Sequence, residues 1–246
     1  MFKRSIPLAA AALPALMCLW QSIAFADQPI SCSSAPTAEQ HILACSAVIY
    51  GGASNPRDLA DAYFNRGIAY FSVGKSDQAV ADFSEAITLQ PKDSEAMEAR
   101  AIVFSSRKDY DRAIADDERI LEINPFSVRA YNNRANNLKA KGSYALALND
   151  YDAAIKLADD QPILYINRAN VLSGLGRLKE ALDDCDRALA LNSRFLNAYI
   201  SRGNIYQAMG DIARAEADFD EALTIDPKNA TAIHNKLALV RFKNGS

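Results

Sequence analysis

Apolar residues in this chain recur at helical spacing, and they do so in pairs of stretches. In residues 60–93, Tyr63, Gly67 and Tyr70 share one helical face, and Ala79, Phe83, Ala86 and Ile87 share another. Gly74 falls between the two stretches, where a helix must stop and a turn begin, and Pro91 falls where the second stretch ends. The same layout returns at 94–127, 128–161, 162–195 and 196–229. Arg66, Arg100, Arg134, Arg168 and Arg202 are spaced by 34 residues, and so are Asp82, Asp116, Asp150, Asp184 and Asp218. Each Arg is followed by Gly or Ala, and Ala79, Ala113, Ala147, Ala181 and Ala215 keep the same period. Five copies in one register define a true internal repeat. Each copy is predicted to be two helices joined by a tight turn, with Gly142, Gly176 and Gly210 repeating the part of Gly74.

The copies resemble the tetratricopeptide repeat (TPR) family. Its signature is a large residue, Gly or Ala, Tyr, Ala, a large residue, Ala and Pro at fixed offsets. Those places hold Tyr63, Gly67, Tyr70, Ala79, Phe83, Ala86 and Pro91 in the first copy, and Tyr199, Gly203, Tyr206, Ala215, Phe219, Ala222 and Pro227 in the fifth. Small residues suit the close crossing of two helices, and large ones fill the space beside it. The resemblance covers residues 60–229. It implies an all-α fold, a right-handed superhelical solenoid of antiparallel helix pairs, with five repeats and a capping helix at each end. It also implies a protein that binds proteins or peptides and does not catalyse.

Departures from the signature fall mainly in the second copy. Asp117 stands where the others have Phe83, Tyr151, Cys185 or Phe219, and Ile120 stands where they have Ala, so this repeat is expected to be the least well packed. The third and fourth copies have Asp159 and Ser193 in place of the closing proline. Pro162 opens the fourth copy at a helix first turn, where a missing N–H costs nothing. Residues 230–243 read as a sixth first helix whose Ile233, Leu237 and Val240 close the exposed end, as a stack of repeats requires. Residues 37–50 read as another helix, with Thr37 as N-cap and Ile42, Cys45 and Ile49 on one face. Its run Ile42-Leu43-Ala44-Cys45 resembles a repeat's second helix with Cys45 at the place of Phe83. Residues 27–59 are therefore an arm and an N-terminal cap, joined to the first copy through the turn-rich stretch from Gly51 to Pro56.

The first 26 residues add a compartment. Lys3 and Arg4 precede an uncharged apolar stretch from Ile6 to Trp20, and Ala24-Phe25-Ala26 offers the small-x-small pattern of a signal-peptidase site. Pro7 and Pro14 and the short length argue against a membrane span. Cys18 follows Met17, where a lipoprotein motif wants a small residue. The mature chain is thus expected to start at Asp27 and to be exported, into the periplasm if the source is Gram-negative, with no membrane insertion of its own. Without residues 1–26 the chain carries 25 basic and 30 acidic residues, a net charge near −5. No basic patch points to nucleic acid or to an anionic membrane. Export permits a disulfide. Cys32 and Cys45 are placed to pin the arm to the cap, while Cys185 occupies a core slot as a free thiol; three unpaired thiols are the alternative.

Little in the sequence carries chemistry. The two histidines, His41 and His234, lie at opposite ends of the repeat array, and no metal or nucleophile motif is present. No metal or other cofactor is expected. Adjacent acids such as Asp116-Asp117, Asp159-Asp160 and Asp183-Asp184 diverge by about 100° on a helix and do not converge on one atom. The Arg and Asp series is read as a ladder of structural salt bridges, because a partly shielded guanidinium is well satisfied by a bidentate carboxylate. A row of anion clamps is the alternative. On the first helices, the face opposite the core carries Arg129, Asn132, Asn133 and Asn136, then Asn167 and Asn170, then Asn197 and Asn204. This resembles the concave face with which TPR proteins hold extended peptides. A carboxamide can donate to a backbone C=O and accept from a backbone N–H. The partner expected from this resemblance is a protein or peptide in the groove. A second reading is a structural subunit of an envelope or polysaccharide-export assembly, held by its convex face or its ends.

Overall fold

A computed structural model describes residues 32–52 and 55–244. The leader-like residues 1–26, and the first residues of the arm, lie outside the described residues. Helix α1 (Ala38–Tyr50) precedes five helix pairs: α2 (Pro56–Ser72) with α3 (Ser76–Leu89), α4 (Ser94–Ser106) with α5 (Tyr110–Ile123), α6 (Val128–Ala140) with α7 (Tyr144–Leu157), α8 (Pro162–Gly174) with α9 (Leu178–Leu191), and α10 (Leu196–Ala208) with α11 (Ile212–Ile225). A last helix, α12 (Ala230–Asn244), ends the series. Among the described residues there is no strand, and each helix packs chiefly on the next in sequence, which makes an all-α superhelix of repeats.

Local chemistry places the helix ends. Thr37, Ser127, Asp93, Asp109 and Asp211 each accept a hydrogen bond from a backbone N–H of the first turn that follows. Pro56 and Pro162 sit in first turns. The turn between the helices of a pair needs a left-handed residue, and Gly74, Gly142, Gly176 and Gly210 take φ of 76°, 80°, 75° and 78°. In the second repeat Lys108 occupies this place with φ 61°, a conformation that a side chain disfavours by about 1 kcal/mol.

Within each pair the crossing is as tight as its small residues allow. A β-carbon on Gly67 would lie 2.7 Å from Cε1 of Phe83, and one on Gly203 would lie 2.6 Å from Cε1 of Phe219. Phe83, Tyr151, Cys185 and Phe219 are fully buried beneath those crossings. Seams between repeats are sealed by two further positions of each first helix. One holds Ala96, Ala130, Leu164, Ala198 and Ala232; the other holds Val103, Asn137, Val171, Ile205 and Leu239, and all are buried. Val103 packs with Phe83, Val171 with Tyr151, and Leu239 with Phe219.

That register corrects the expected face of α12. Ala232 and Leu239 point into the stack, whereas Ile233, Leu237 and Val240 are exposed. These three stand where complete repeats face their own second helix, and none follows among the described residues.

The N-terminal cap works differently. Helix α2 is longer than the later first helices by one turn, so α1 is offset by 38 residues from α3 and puts Cys45 at the place of Phe83. Cys45 is fully buried and bonded to Cys32, and Ala35 is buried beside it. His41 Nε2 accepts from Ala35 N at 3.1 Å. The arm thus covers the side of α1 that a first helix would cover. Closing a loop of 13 residues contributes about 3 kcal/mol in the chain-entropy picture. Cys185 is a free, buried thiol that burial pushes up to about 12. Alkylation of the denatured, unreduced protein should therefore modify Cys185 and spare Cys32 and Cys45. A bridge involving Cys185 would overturn this arrangement of the cap.

Candidate binding groove

Successive first helices touch each other directly, while successive second helices do so to no comparable extent. The first-helix side is therefore the shorter, inner side of the curved stack. One joint differs: α4 and α6, of the second and third repeats, come less close than any other neighbouring first helices.

The carboxamides run along this inner side, and many are bonded to one another. Asn167 Nδ2 donates to Asn132 Oδ1 at 2.9 Å, Ser201 Oγ to Asn170 Oδ1 at 3.1 Å, and Asn235 Nδ2 to Asn204 Oδ1 at 2.8 Å. Each of these bonds ties one first helix to the next. Arg129 and Asn133 both donate to Glu98, at 2.9 and 3.4 Å. Asn136 Oδ1 accepts from the Tyr151 hydroxyl at 2.7 Å and from Lys139 Nζ at 3.5 Å. Asn197 is exposed and makes no side-chain hydrogen bond among the described residues. The row thus holds neighbouring helices together and still keeps unused donors and acceptors, because each amide can make four hydrogen bonds.

Where α4 and α6 part, a recess of about 340 Å³ opens, lined by Ile102, Ser105, Ser106, Asn133, Asn136 and Asn137 among others. Two substitutions lie beneath it. Asn137 replaces the Val, Ile or Leu of most other seams, and Asp117 replaces the aromatic or Cys of the other crossings. Ser105 Oγ donates to Asn137 Oδ1 at 2.7 Å, and Asn137 Nδ2 donates to Asp117 Oδ2 at 3.2 Å. Asp117 is fully buried, and its Oδ1 has no partner. Burial, against the Asn137 hydrogen bond, pushes its carboxyl up to about 8. Sequence reasoning marked Asp117 as a packing fault and missed Asn137. The 34-residue register was the signal that could have found it.

The arginines are bound throughout. Each donates from Nε and Nη2 to both carboxylate oxygens of the Asp 16 residues on, at 2.6–2.9 Å: Arg66 to Asp82, Arg100 to Asp116, Arg134 to Asp150, Arg168 to Asp184 and Arg202 to Asp218. These hydrogen bonds raise the guanidinium pKa of Arg66, Arg134, Arg168 and Arg202. A backward arm, absent from the sequence reading, reaches the preceding second helix. Arg66 donates to Ser46, Arg100 to Ser84, Arg168 to Asp152 and Arg202 to Asp186, and Arg134 lies 4.0 Å from Glu118. Lys236, in the same register, donates to Asp220. The forward arm joins the two helices of each repeat, and the backward arm, a hydrogen bond from Arg66, Arg100, Arg168 and Arg202, joins one repeat to the element before it.

Among the described residues, no cluster of His, Cys, Asp or Glu could hold a metal ion, and no helix is long and apolar enough to cross a membrane.

Tetratricopeptide-repeat models match residues 60–93, 128–161, 162–195 and 196–229, more than half of the chain, and the segment between the first two holds the irregular second repeat. The chain belongs to the tetratricopeptide repeat family. Solved structures of similar fold include a thermophilic TPR protein of Thermus thermophilus, with 20% identity over 74% of this chain and 98% of that one and a TM-score of 0.62. A TPR protein of Parabacteroides merdae shares 23% over 82% and 78%, with a TM-score of 0.62. YrrB, a TPR protein with an unusual peptide-binding site, shares 21% over 78% and 97%, with a TM-score of 0.58.

Proposed function

We propose that this protein is a non-catalytic interaction scaffold that takes an extended segment of a partner protein along the inner face of its first helices. One observation carries the reading: the carboxamide row keeps spare hydrogen-bonding capacity along several repeats and borders a recess at its widest joint. An extended peptide offers alternating N–H and C=O groups, which such a row can match without reading its sequence. The peptide-binding site of YrrB, which shares the fold, supports the assignment. We read the leader-like residues 1–26 as an export signal, which would put this work outside the cytoplasm, in the periplasm if the cell is Gram-negative. A Cys32–Cys45 bridge suits that setting.

The test must avoid the amides whose bonds between helices are shielded from solvent. Asn133, Asn197 and Asn204 are the suitable set, because their bonds are long, absent or exposed. Partners captured from envelope extract with the parent protein would be identified, and their affinities measured for the Asn133→Ala/Asn197→Ala/Asn204→Ala variant. At about 1 kcal/mol for each lost hydrogen bond, three losses come to about 3 kcal/mol, and affinity should fall roughly a hundredfold. The melting curve should stay close to that of the parent, since Ala is the better helix former. An outer-face control, Lys156→Ala/Arg187→Ala, should bind as the parent does. Undiminished binding by the groove variant would move the function to the convex face or the ends, as a structural subunit.

A further inference from the structure

Helix α12 breaks a rule that repeat arrays obey. The outer face of a terminal repeat has to be polar, since nothing stacks on it. Here Ile233, Leu237 and Val240 form a stripe at i, i+4 and i+7, with exposures of 37%, 54% and 36%. At the opposite end, the corresponding side of α1 is covered by residues 32–36 and the Cys32–Cys45 bond.

The register says what kind of element belongs on this stripe. In all five repeats the equivalent face is covered by a helix that brings an aspartate to the ladder arginine. Lys236 holds that ladder position in α12. It reaches back to Asp220 and has no forward acid among the described residues. Charge points the same way: residues 230–244 contain no Asp or Glu and carry His234, Lys236, Arg241 and Lys243, in a chain that is acidic overall.

Two occupants are disfavoured on this evidence. A second copy of α12 would set these basic groups against themselves. A repeat-type second helix would need Gly or Ala where Leu237 stands, since even a β-carbon at the equivalent Gly203 would lie 2.6 Å from the aromatic ring. We propose that the outer face of α12 docks an acidic amphipathic helix of a partner protein, packed at ordinary helix–helix distance with its carboxylates toward Lys236 and Arg241. This site lies apart from the groove and does not depend on the peptide reading.

The full mature chain can be titrated by fluorescence anisotropy with three labelled amphipathic peptides. All carry the same leucine stripe, with Glu, Gln or Lys on the remaining face. The Glu peptide should bind at least tenfold more tightly than the Gln peptide, the Lys peptide should bind most weakly, and the preference should shrink at 1 M salt. Leu237→Ser should weaken the Glu peptide at least tenfold. Arg241→Glu, which leaves the apolar stripe intact, should erase the preference for Glu. Both side chains are exposed, so melting curves should match the parent's, and the groove variant described above should bind the Glu peptide normally. Equal binding of all three peptides, or no effect of Leu237→Ser, would overturn the proposal. A parent protein that is a dimer in light scattering, and becomes a monomer with Leu237→Ser, would overturn it in favour of a second copy.

Discussion

Arg66→Met should cost about 3–5 kcal/mol of stability, the largest loss from any single change in the ladder. The Arg66 and Asp82 side chains are only 9% and 6% exposed, whereas the other four ladder arginines are 21–24% exposed. Methionine would fill much of the space but would strand the Asp82 carboxylate, which now accepts from Nε and Nη2 at 2.8 Å each. The bond to Ser46 would go as well, and with it a tie between the cap and the first repeat. Tyr50, Tyr63 and Tyr70 surround the guanidinium with ring centroids 5.5–5.7 Å away, and those contacts weaken too. Native stabilities are of the order of 5–15 kcal/mol, so this is a large share. Hydrogen exchange should show α1, α2 and α3 losing protection first, because repeats open locally. Arg202→Met should cost less, since water reaches its site. Arg66→Met/Asp82→Leu should recover much of the loss, because an apolar pair needs no desolvated charge. An Arg66→Met protein within 1 kcal/mol of the parent by urea unfolding would show that the pair does not hold the array together.

The contrast between the ladder's two arms explains what the sequence could reveal. The forward partner lies 16 residues on in every copy and is always Asp, so its period matches that of the arginine. The backward partner is Ser46 and then Ser84 at the start of the array, Glu118 in the middle, and Asp152, Asp186 and Asp220 only towards the end, so its residue type does not keep one identity through the array. The family and the fold were legible for the same reason: small residues at the crossings recur every 34 positions because each crossing is the same steric problem. On helix α12 the stripe of large apolar residues predicts an inward face, and the structure puts that stripe outside. Burial here follows the repeat register, which selects Ala232 and Leu239. The asparagines show a different limit. Their presence on one face followed from 100° geometry, but their bonds join residues 31 or 35 apart on separate helices. Those contacts depend on how far each repeat turns relative to the last, which no local pattern encodes.

At the joint where that turn is irregular, Asp117→Asn should stabilise the protein, by an amount that grows with pH. The Asp117 carboxyl is fully buried, and burial raises its pKa to about 8, against an ordinary value of 3.8. Asp116 and Glu98 push it further up; Asn137, by hydrogen bonding, and Arg134, by charge, pull it back. Because the folded-state value is the higher one, the folded chain retains a proton that the unfolded chain releases. This group's contribution is therefore fully present below about pH 4 and is lost as pH rises through about 8. The limiting slope is about 1.4 kcal/mol per pH unit for one proton. Water entry and relaxation at the recess reduce it, so the parent should lose about 2–4 kcal/mol relative to Asp117→Asn between pH 5 and pH 8. Asparagine has nearly the shape of the protonated acid, and its oxygen can still accept from Asn137, so the variant should lack this slope. All other ionisable groups are common to the two proteins, so the difference between them isolates position 117. Urea unfolding of the two proteins at pH 5, 6, 7, 8 and 9 measures it. Two parallel stability curves would mean that Asp117 is ionised or solvated in the folded protein, and that the joint between the second and third repeats is more open than its packing indicates.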